Sequence, residues 1–281
     1  MPYKLKPKTM YMMPTHFGPM SGPRQGPGGE MGAFSVDQRK TRAYAVSFLT
    51  EQEQLEALLP PGFEAVGAPV VTVTHTHMTE IDWLAGRGYS TLGVTFQARY
   101  NGSRDRATGP LLLVLWENLT DPILTGREQL GFSKIYCELP EPVIHGGETQ
   151  CTASWLGFRF MDMRLTNMAE VDAPAGAAAA ENSDGGELQG TLHYKYVPKT
   201  GEWGEADAEY AVLSPLNAPV SEPKRWQGEG SVRFHRARWE DLPTQHMIVN
   251  ALQELEVKEC RGATITHSVG GRDLIDQRIL R

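Results

Sequence analysis

The sequence has few cysteines and no long apolar segment. Its three cysteines, Cys137, Cys151 and Cys260, form no Cys-x-x-Cys pair, so neither a disulfide framework nor a zinc site is predicted. The longest apolar segment, residues 111–116, has the length of a buried strand and is far shorter than the roughly 20 residues of a membrane helix. We therefore expect buried free thiols and no membrane partner.

Features of a signal peptide and of a nucleic-acid-binding surface are also missing. The first 33 residues contain lysines but no continuous apolar core, which argues against a secretory signal and leaves a cytoplasmic location as the expectation. The formal net charge is −7 and no Lys/Arg-rich run follows an aromatic cluster, so no nucleic-acid partner is predicted. The 281 residues, 40% of them hydrophobic, are enough to bury a sizeable core.

Glycine and proline are concentrated at the N-terminus, especially in residues 14–19 and 22–29. This composition is unfavourable for helices and strands. Because methionine and aromatic side chains are interleaved, we predict that residues 1–33 form an extended arm that packs on the body of the protein or on a neighbouring subunit. A mobile tail is the alternative. Residues 34–281 are predicted to form a single domain.

Alternating apolar and polar residues predict a mainly β protein. Residues 43–48, 70–77, 91–99 and 111–116 have the pattern of strands, and residues 152–165 and 191–197 are expected to form a long hairpin around a low-complexity connection at 172–186. A short helix is predicted to begin at Thr50 with a capping box to Glu53, and a second near Asp241, with Met247 on its buried face. A strand over 256–267 would follow, giving an antiparallel sheet or barrel with few helices.

Lys134 is the candidate nucleophile. It is surrounded in sequence by Phe132, Ile135 and Tyr136, which predicts an environment where an ammonium group is poorly hydrated. Desolvation lowers the pKa of a lysine, so that a neutral amine is present near neutral pH. A neutral amine attacks ketones to form a Schiff base.

The segment that contains Lys134 resembles the active-site segment of the acetoacetate decarboxylase family. Gly126-Arg127-Glu128, five intervening residues and Lys134 have the family's order and spacing, with Lys134 in the position of the Schiff-base lysine. Activation of that lysine by desolvation or by a neighbouring cation is a mechanism known for acetoacetate decarboxylase. The resemblance implies a closed antiparallel β-barrel with an interior cavity, no cofactor and a homo-oligomer.

The sequence departs from that family at three positions. Ile135 stands where family decarboxylases have a second lysine. Thr91, two residues after Tyr89, replaces a glutamate, and Thr74 lies where the family has another acidic residue. Because these carboxylates accompany decarboxylation, their loss favours other Schiff-base chemistry, namely addition of a pyruvate enamine to an aldehyde followed by loss of water.

Further candidate site residues follow from their chemistry and from the resemblance. Glu117, at the end of the apolar strand, is predicted to move protons, although it could also be a turn residue. The resemblance implies that Arg42 binds the substrate carboxylate, and Tyr89, Thr91, Thr74 and Gln129 are further candidates for substrate contacts.

Two more pairs of residues have predicted structural roles. Arg127 and Glu128 are expected to form an ion pair that supports the turn before Lys134. His75 and His77 share one face of a strand, but without a third ligand in the pattern they are predicted to be structural, so no metal site is expected.

Three functions remain open from the sequence. The favoured one is a cofactor-independent lyase in which Lys134 forms a Schiff base with a small keto acid, with an aldehyde as a second substrate. The alternatives are decarboxylation of a β-keto acid such as acetoacetate, and a non-catalytic protein that binds a small acid.

Overall fold

The computed structural model describes residues 4–172, 187–215, 224–271 and 274–281. Within these ranges strands predominate, and the α-helices are α1 (Gln52–Glu56), α2 (Thr120–Thr125) and α3 (His246–Gln253). The strands are β1 (Lys40–Leu49), β2 (Phe63–Ala65), β3 (Val70–Thr79), β4 (Tyr89–Asn101), β5 (Arg106–Glu117), β6 (Lys134–Tyr136), β7 (Val143–His145), β8 (Glu148–Trp155), β9 (Phe158–Val171), β10 (Leu188–Gln189), β11 (Thr191–Pro198), β12 (Ala206–Ser214), β13 (Lys224–Phe234), β14 (Glu259–Val269) and β15 (Arg278–Ile279).

All of these strands belong to one sheet. Its main path is β15-β12-β11-β5-β4-β3-β1-β14-β13-β9-β8-β7, with β2, β6 and β10 attached to β4 or β5. No pairing among the described residues joins β7 to β15, so the sheet is open and the predicted closed barrel is not confirmed. The expectation of purely antiparallel pairing is wrong at β5, whose neighbours β6, β10 and β11 are parallel to it.

The two faces of the central strands differ in polarity. On β1, Tyr44, Val46 and Phe48 are buried on one face, and the alternation of the strand places small and polar residues on the other. The apolar face contributes to the core, where the Trp116 ring of β5 lies 5.2 Å from Phe160 of β9 and 6.4 Å from Phe234, centroid to centroid. The sheet therefore curls so that β5 approaches strands far along its order.

The predicted long hairpin is wrong. Trp155 and Phe158 pair across a two-residue turn in which Leu156 and Gly157 both have positive φ, the requirement of a tight hairpin turn. The segment predicted as one strand is thus the β8–β9 hairpin. The second neighbour of β9 is β13, whereas β11 pairs with β12 and β5. Of the predicted connection, residues 173–186 lie outside the described residues.

The helix predictions were right in place and wrong in detail. Helix α1 begins at Gln52 without a side-chain cap, because the Thr50 hydroxyl donates to the Gln54 side chain and no capping box forms. Helix α3 begins at His246, after turns that occupy residues 239–245. Its Met247, predicted to be buried, is 64% exposed. The final strand, β14, is shifted by two or three residues from its predicted bounds.

The N-terminal arm packs on the body of its own chain over its described residues. Arg24 is 5% exposed, and its Nε donates to Gln129 Oε1 at 2.9 Å. Gln25 is fully buried and holds the arm together by donating to the carbonyls of Met10 and Met20. A domain boundary at residue 33 remains a prediction. None of the helices in the described ranges has the length and apolarity to cross a membrane.

Candidate active site

A short return segment brings Lys134 back beside the strand that precedes it. After β5 ends at Glu117, α2 continues into a π-helical turn over Gly126–Leu130, which Gly131 ends with φ +80°. Strand β6 then runs parallel to β5, with Lys134 opposite Leu115. Because alternate residues of β5 point to the same face, this register places the lysine and the Glu117 side chain together.

Gly126 makes room for the lysine. A Cβ atom at this position would lie 2.4 Å from Lys134 Cδ, 2.5 Å from Cε and 2.7 Å from Nζ. Side-chain atoms do not approach this closely without displacement. The backbone of Gly126 is helical, with φ −68° and ψ −41°, so its conformation does not need a glycine. The glycine is needed instead because a Cβ atom would displace Lys134 from this position.

The Lys134 amine is buried and held by three neighbours. The residue is 7% exposed; Nζ donates to Glu117 Oε1 at 2.9 Å and to the Pro122 carbonyl at 3.0 Å, and lies 5.5 Å from the centroid of the Phe132 ring. Burial lowers the pKa of Lys134, an effect that the Glu117 carboxylate opposes and the Arg24 guanidinium increases. Desolvation outweighs the ion pair, so the pKa of Lys134 lies below that of an exposed lysine.

Glu117 is the carboxyl group in contact with this amine. It is 1% exposed, and its Oε2 has no hydrogen-bond partner in the described residues. Burial raises the pKa of Glu117, against the opposing effect of Lys134. The two shifts bring the pKa values of the carboxyl and the amine closer together, which eases proton transfer between them.

The predicted ion pair between Arg127 and Glu128 does not form in the described structure. Consecutive residues of a helical turn point in different directions. Arg127 instead donates from Nη1 to the Lys134 carbonyl at 2.8 Å, which fixes the start of β6. The Glu128 side chain is exposed. The backbone carbonyl of Glu128 accepts a hydrogen bond from Lys195 Nζ at 2.7 Å. Arg127 supports the lysine segment, but by a different contact from the one predicted.

Two cavities meet at Lys134. The larger, of about 510 Å³, is lined by Glu117, Thr91 and Phe132 among others, and the smaller, of about 90 Å³, lies beneath the N-terminal arm. The residues that line both cavities are Arg39, Tyr89, Lys134 and Leu274. Burial and the Glu117 carboxylate raise the pKa of Tyr89, whereas Arg39 and Arg24 act to lower it. The Tyr89 phenol is therefore a neutral donor facing both cavities.

Some predicted contact residues lie elsewhere. Arg42 is exposed and lines neither cavity, because the alternation of β1 places it on the same face as Tyr44 and not on the face of Thr41. Thr74 shares the face of Thr76 but is too far along β3 to line either cavity. Gln129 also lies outside both; its amide accepts a hydrogen bond from Arg24, so it positions that residue.

Two arginines near the lysine were missed by the sequence analysis. Arg39 lines both cavities; its Nη2 donates to the Gly270 carbonyl at 3.3 Å and its Nε is buried without a hydrogen-bond partner in the described residues. Arg39 stands two residues before Thr41, and the two-residue period of a strand could have placed both side chains on the same face. Arg24 comes from the arm and lines the smaller cavity, and no sequence pattern connects it to Lys134.

The two histidines lie in different environments. His75 is fully buried against the Tyr44 ring, and burial lowers its pKa to about 4. His77 Nδ1 lies 3.0 Å from the Ser90 hydroxyl. Over the ranges that the structure describes, no three His, Cys, Asp or Glu side chains are grouped so that they could hold a metal ion.

Solved structures with the same fold include an acetoacetate decarboxylase and the enduracididine biosynthesis enzyme MppR. The decarboxylase superposes with a TM-score of 0.64 at 14% identity, over 89% of this chain and 90% of that one. MppR complexed with pyruvate gives 0.60 at 18% identity, over 91% and 95%. MppR complexed with the condensation product of pyruvate and imidazole 4-carboxaldehyde gives 0.59 at 17%, over 90% and 93%.

Sequence comparison identifies the family. No curated protein sequence matches the chain. The family model for acetoacetate decarboxylase, however, matches residues 13–268, a range that includes most of the arm, the Lys134 segment and nearly all of β14. The chain belongs to the acetoacetate decarboxylase family.

Proposed function

We propose that the protein is a cofactor-independent lyase that forms a Schiff base between Lys134 and a small 2-keto acid such as pyruvate, and adds the resulting enamine to an aldehyde. The observation that carries the proposal is the buried contact of 2.9 Å between Lys134 Nζ and Glu117 Oε1, at the junction of two cavities. It supplies a nucleophile and a proton carrier in one place.

The first step is imine formation. The neutral Lys134 amine attacks the ketone carbon, and a proton moves from nitrogen to the former carbonyl oxygen. Glu117, as the carboxylic acid, then protonates that oxygen, which leaves as water. The products are a protonated imine and the Glu117 carboxylate, so one charge of each sign is created and the pair remains neutral overall. A raised pKa of the acid and a lowered pKa of the amine suit this exchange.

The second stage makes the carbon–carbon bond. The Glu117 carboxylate removes a proton from the methyl carbon of the imine, giving an enamine and regenerating the acid. The enamine carbon attacks the aldehyde carbon, and the aldehyde oxygen takes the proton from Glu117. Hydrolysis of the imine releases a 4-hydroxy-2-keto acid. Removal of a second proton from the same carbon, with loss of the new hydroxyl as water, gives the unsaturated acid instead.

Arg39 is proposed to bind the substrate carboxylate in place of Arg42. In a 2-keto acid the carboxylate is one bond from the carbon that Lys134 attacks, so its partner must lie in the same cavity as the amine. Arg39 meets this condition and has a buried Nε–H without a partner in the described residues. A guanidinium group pairs with a carboxylate through parallel hydrogen bonds.

Decarboxylation is less well supported by the residues near Lys134. Position 91, where decarboxylases of the family have a glutamate, is Thr91, which lies opposite Glu117 in the sheet. The chain also shares its fold with MppR, two of whose solved structures contain pyruvate or a pyruvate condensation product, and this similarity supports the proposed aldol addition. Assembly as a homo-oligomer remains a prediction from the family.

The test is to supply pyruvate with an aldehyde, and separately acetoacetate, and to identify the products by mass spectrometry and NMR. We expect an aldol or dehydrated product from the first mixture and little release of carbon dioxide from the second. Lys134→Met should abolish the product. Lys195→Met is the matched control, because Lys195 is 8% exposed but lines neither cavity.

Two outcomes would replace the proposal. Rapid, Lys134-dependent release of carbon dioxide from acetoacetate without an aldol product would identify a decarboxylase. Absence of any product, together with calorimetric pyruvate binding that survives in Lys134→Met, would identify a non-catalytic binding protein.

A further inference from the structure

One wall of the larger cavity is made of hydroxyl groups. Five residues from four strands or their ends contribute hydroxyls to its lining: Thr41, Thr76, Thr91, Thr266 and Ser268. The apolar lining residues Leu115, Phe132 and Leu274 accompany them. A keto acid as small as pyruvate does not need so many hydrogen-bonding groups.

The sheet register makes this wall continuous with Glu117. Thr91 on β4 lies opposite Glu117 on β5 and opposite Thr76 on β3. The next positions in the same row are Ala43 on β1 and Thr266 on β14. Because residues paired across strands lie on the same face, the hydroxyls extend in a line away from the carboxylate, and the small side chain of Ala43 leaves space between them.

A second row runs beside the first. Two residues before Ala43 on β1, Thr41 pairs with Met78 of β3 and with Ser268 of β14. Two adjacent rows therefore present hydroxyls on one face, in the cavity that contains the amine and the carboxylate.

These hydroxyls are not used to stabilise the described part of the fold. None of the five donates or accepts a side-chain hydrogen bond among the described residues, whereas Ser47 and Thr72, further along the same face, bond to each other at 2.9 Å. The nearby Glu117 Oε2 is buried and also without a partner in the described residues. Of the five wall residues, Thr91 is buried and the other four are half-buried. A buried polar group is normally hydrogen-bonded, so Thr91 and the Glu117 carboxylate have capacity for a ligand, and the half-buried hydroxyls can exchange water for one.

We propose that the larger cavity binds a polyhydroxylated aldehyde as the second substrate, with the hydroxyls of its carbon chain bonded to the Thr/Ser wall. This inference rests on the proposed function and specifies its acceptor. Each hydroxyl of such a chain both donates and accepts, as the Thr and Ser side chains do. An alkyl or aromatic aldehyde would cover the wall and leave the Thr and Ser hydroxyls without hydrogen-bond partners. Binding of such an aldehyde is therefore strongly disfavoured.

The bond-forming step is the one derived above. The aldehyde carbon next to Glu117 receives the enamine carbon, and its oxygen takes the Glu117 proton, while the remaining hydroxylated carbons lie along the wall. The product is a 4-hydroxy-2-keto acid with further hydroxyls. A volume of about 510 Å³ is in the range of small-molecule sites, roughly 300 to 1,000 Å³.

The test compares aldehydes of equal carbon number with pyruvate as the donor: D-glyceraldehyde against propanal, and D-erythrose against butanal, with concentrations counted as free aldehyde. We expect kcat/KM to favour each hydroxylated aldehyde by at least about tenfold, since a site that bonds substrate hydroxyls rejects analogues lacking them. The double variant Thr76→Val and Thr266→Val should lose most of this preference. Thr95→Val, on β4 but outside the cavity, should keep it.

Reductive trapping of pyruvate alone, on the same proteins, separates the two levels of the proposal. If pyruvate is trapped on Lys134 but hydroxylated and deoxy aldehydes react equally, or if the double variant keeps the full preference, the acceptor inference is wrong and the proposed function stands. If no pyruvate is trapped on wild-type protein, both are wrong.

Discussion

Replacement of Gly126 by alanine is predicted to impair the lysine without damaging the fold. The added methyl would start 2.4 to 2.7 Å from three atoms of the Lys134 side chain. An ordinary contact begins near 3.4 Å, so Cδ has to move by about 1 Å. The amine is held by contacts of 2.9 and 3.0 Å to Glu117 and Pro122, and a shift of this size breaks at least one of them.

The expected loss of rate follows from these distances. A misplacement of 1 Å in a reacting group costs roughly 100-fold in rate, which is the loss we expect in pyruvate imine formation. The free energy of unfolding should rise slightly or stay nearly unchanged. Gly126 has helical φ and ψ, and alanine is favoured over glycine in a helix by up to about 1 kcal/mol, which offsets the rearrangement of one flexible side chain.

The assay is the single-turnover rate of borohydride trapping with saturating pyruvate, alongside thermal unfolding. Gly93→Ala is the control, because a Cβ there would meet only the ends of Leu115 and Leu112, at 3.3 and 3.4 Å. A Gly126→Ala protein that unfolds at the wild-type temperature and is trapped at the wild-type rate would show that Lys134 does not occupy the position described.

Three further predictions concern charge and hydrogen bonding. Removing the cation by Arg24→Gln should raise the pKa of Lys134, so the rise of the imine-formation rate with pH should move to higher pH; an unchanged profile would contradict this, and Arg24→Lys should restore the wild-type profile. Replacing Arg39 by methionine should raise KM for pyruvate by about 10- to 100-fold with a smaller effect on kcat, since a hydrogen bond to a charged group contributes about 1.5 to 3 kcal/mol; equal KM would exclude Arg39 from carboxylate binding. Gln245→Ala should lower the free energy of unfolding in urea by about 1 to 3 kcal/mol, because Gln245 accepts the buried Trp116 Nε1–H at 2.7 Å; a loss below about 0.5 kcal/mol would show that another group takes this bond.

Local patterns in the sequence were sufficient to predict the central strands and the burial of Lys134. Strands β3, β4 and β5 contain the predicted segments with ends extended by a few residues. The apolar residues around Lys134 indicated desolvation, and the structure buries the amine. Both properties depend on neighbours in sequence, which is why they could be predicted.

Pairing between distant strands could not be predicted in the same way. Residues 152–165 read as one strand because the turn at Leu156 and Gly157 lacks the usual Asn-Gly or Asp-Gly signal. The parallel pairing of β6 with β5 depends on how α2 and the π-helical turn reverse the chain. No local pattern specifies that geometry.

The arginine assignments show the same limit at the level of one side chain. Residues 38–42 contain Arg39, Lys40 and Arg42, and the resemblance favoured Arg42. The cavity is instead on the face of Arg39 and Thr41, because Tyr44 and Val46 direct the opposite face of β1 to the core. Alternation from those two core residues would have excluded Arg42. Arg24, in contrast, reaches the site only through the tertiary packing of the arm.

The most direct test of the account is to mix the protein with pyruvate, reduce with borohydride, and map the modified residue by peptide mass spectrometry over a range of pH. We predict a single reduced pyruvate adduct on Lys134 that forms near neutral pH, because burial lowers the pKa of Lys134 and so increases the fraction of neutral amine. Lys134→Met should show no adduct, and Lys195→Met should show the wild-type amount. An adduct on another lysine, or one on Lys134 only at strongly alkaline pH, would contradict the central claim that burial makes this residue the nucleophile.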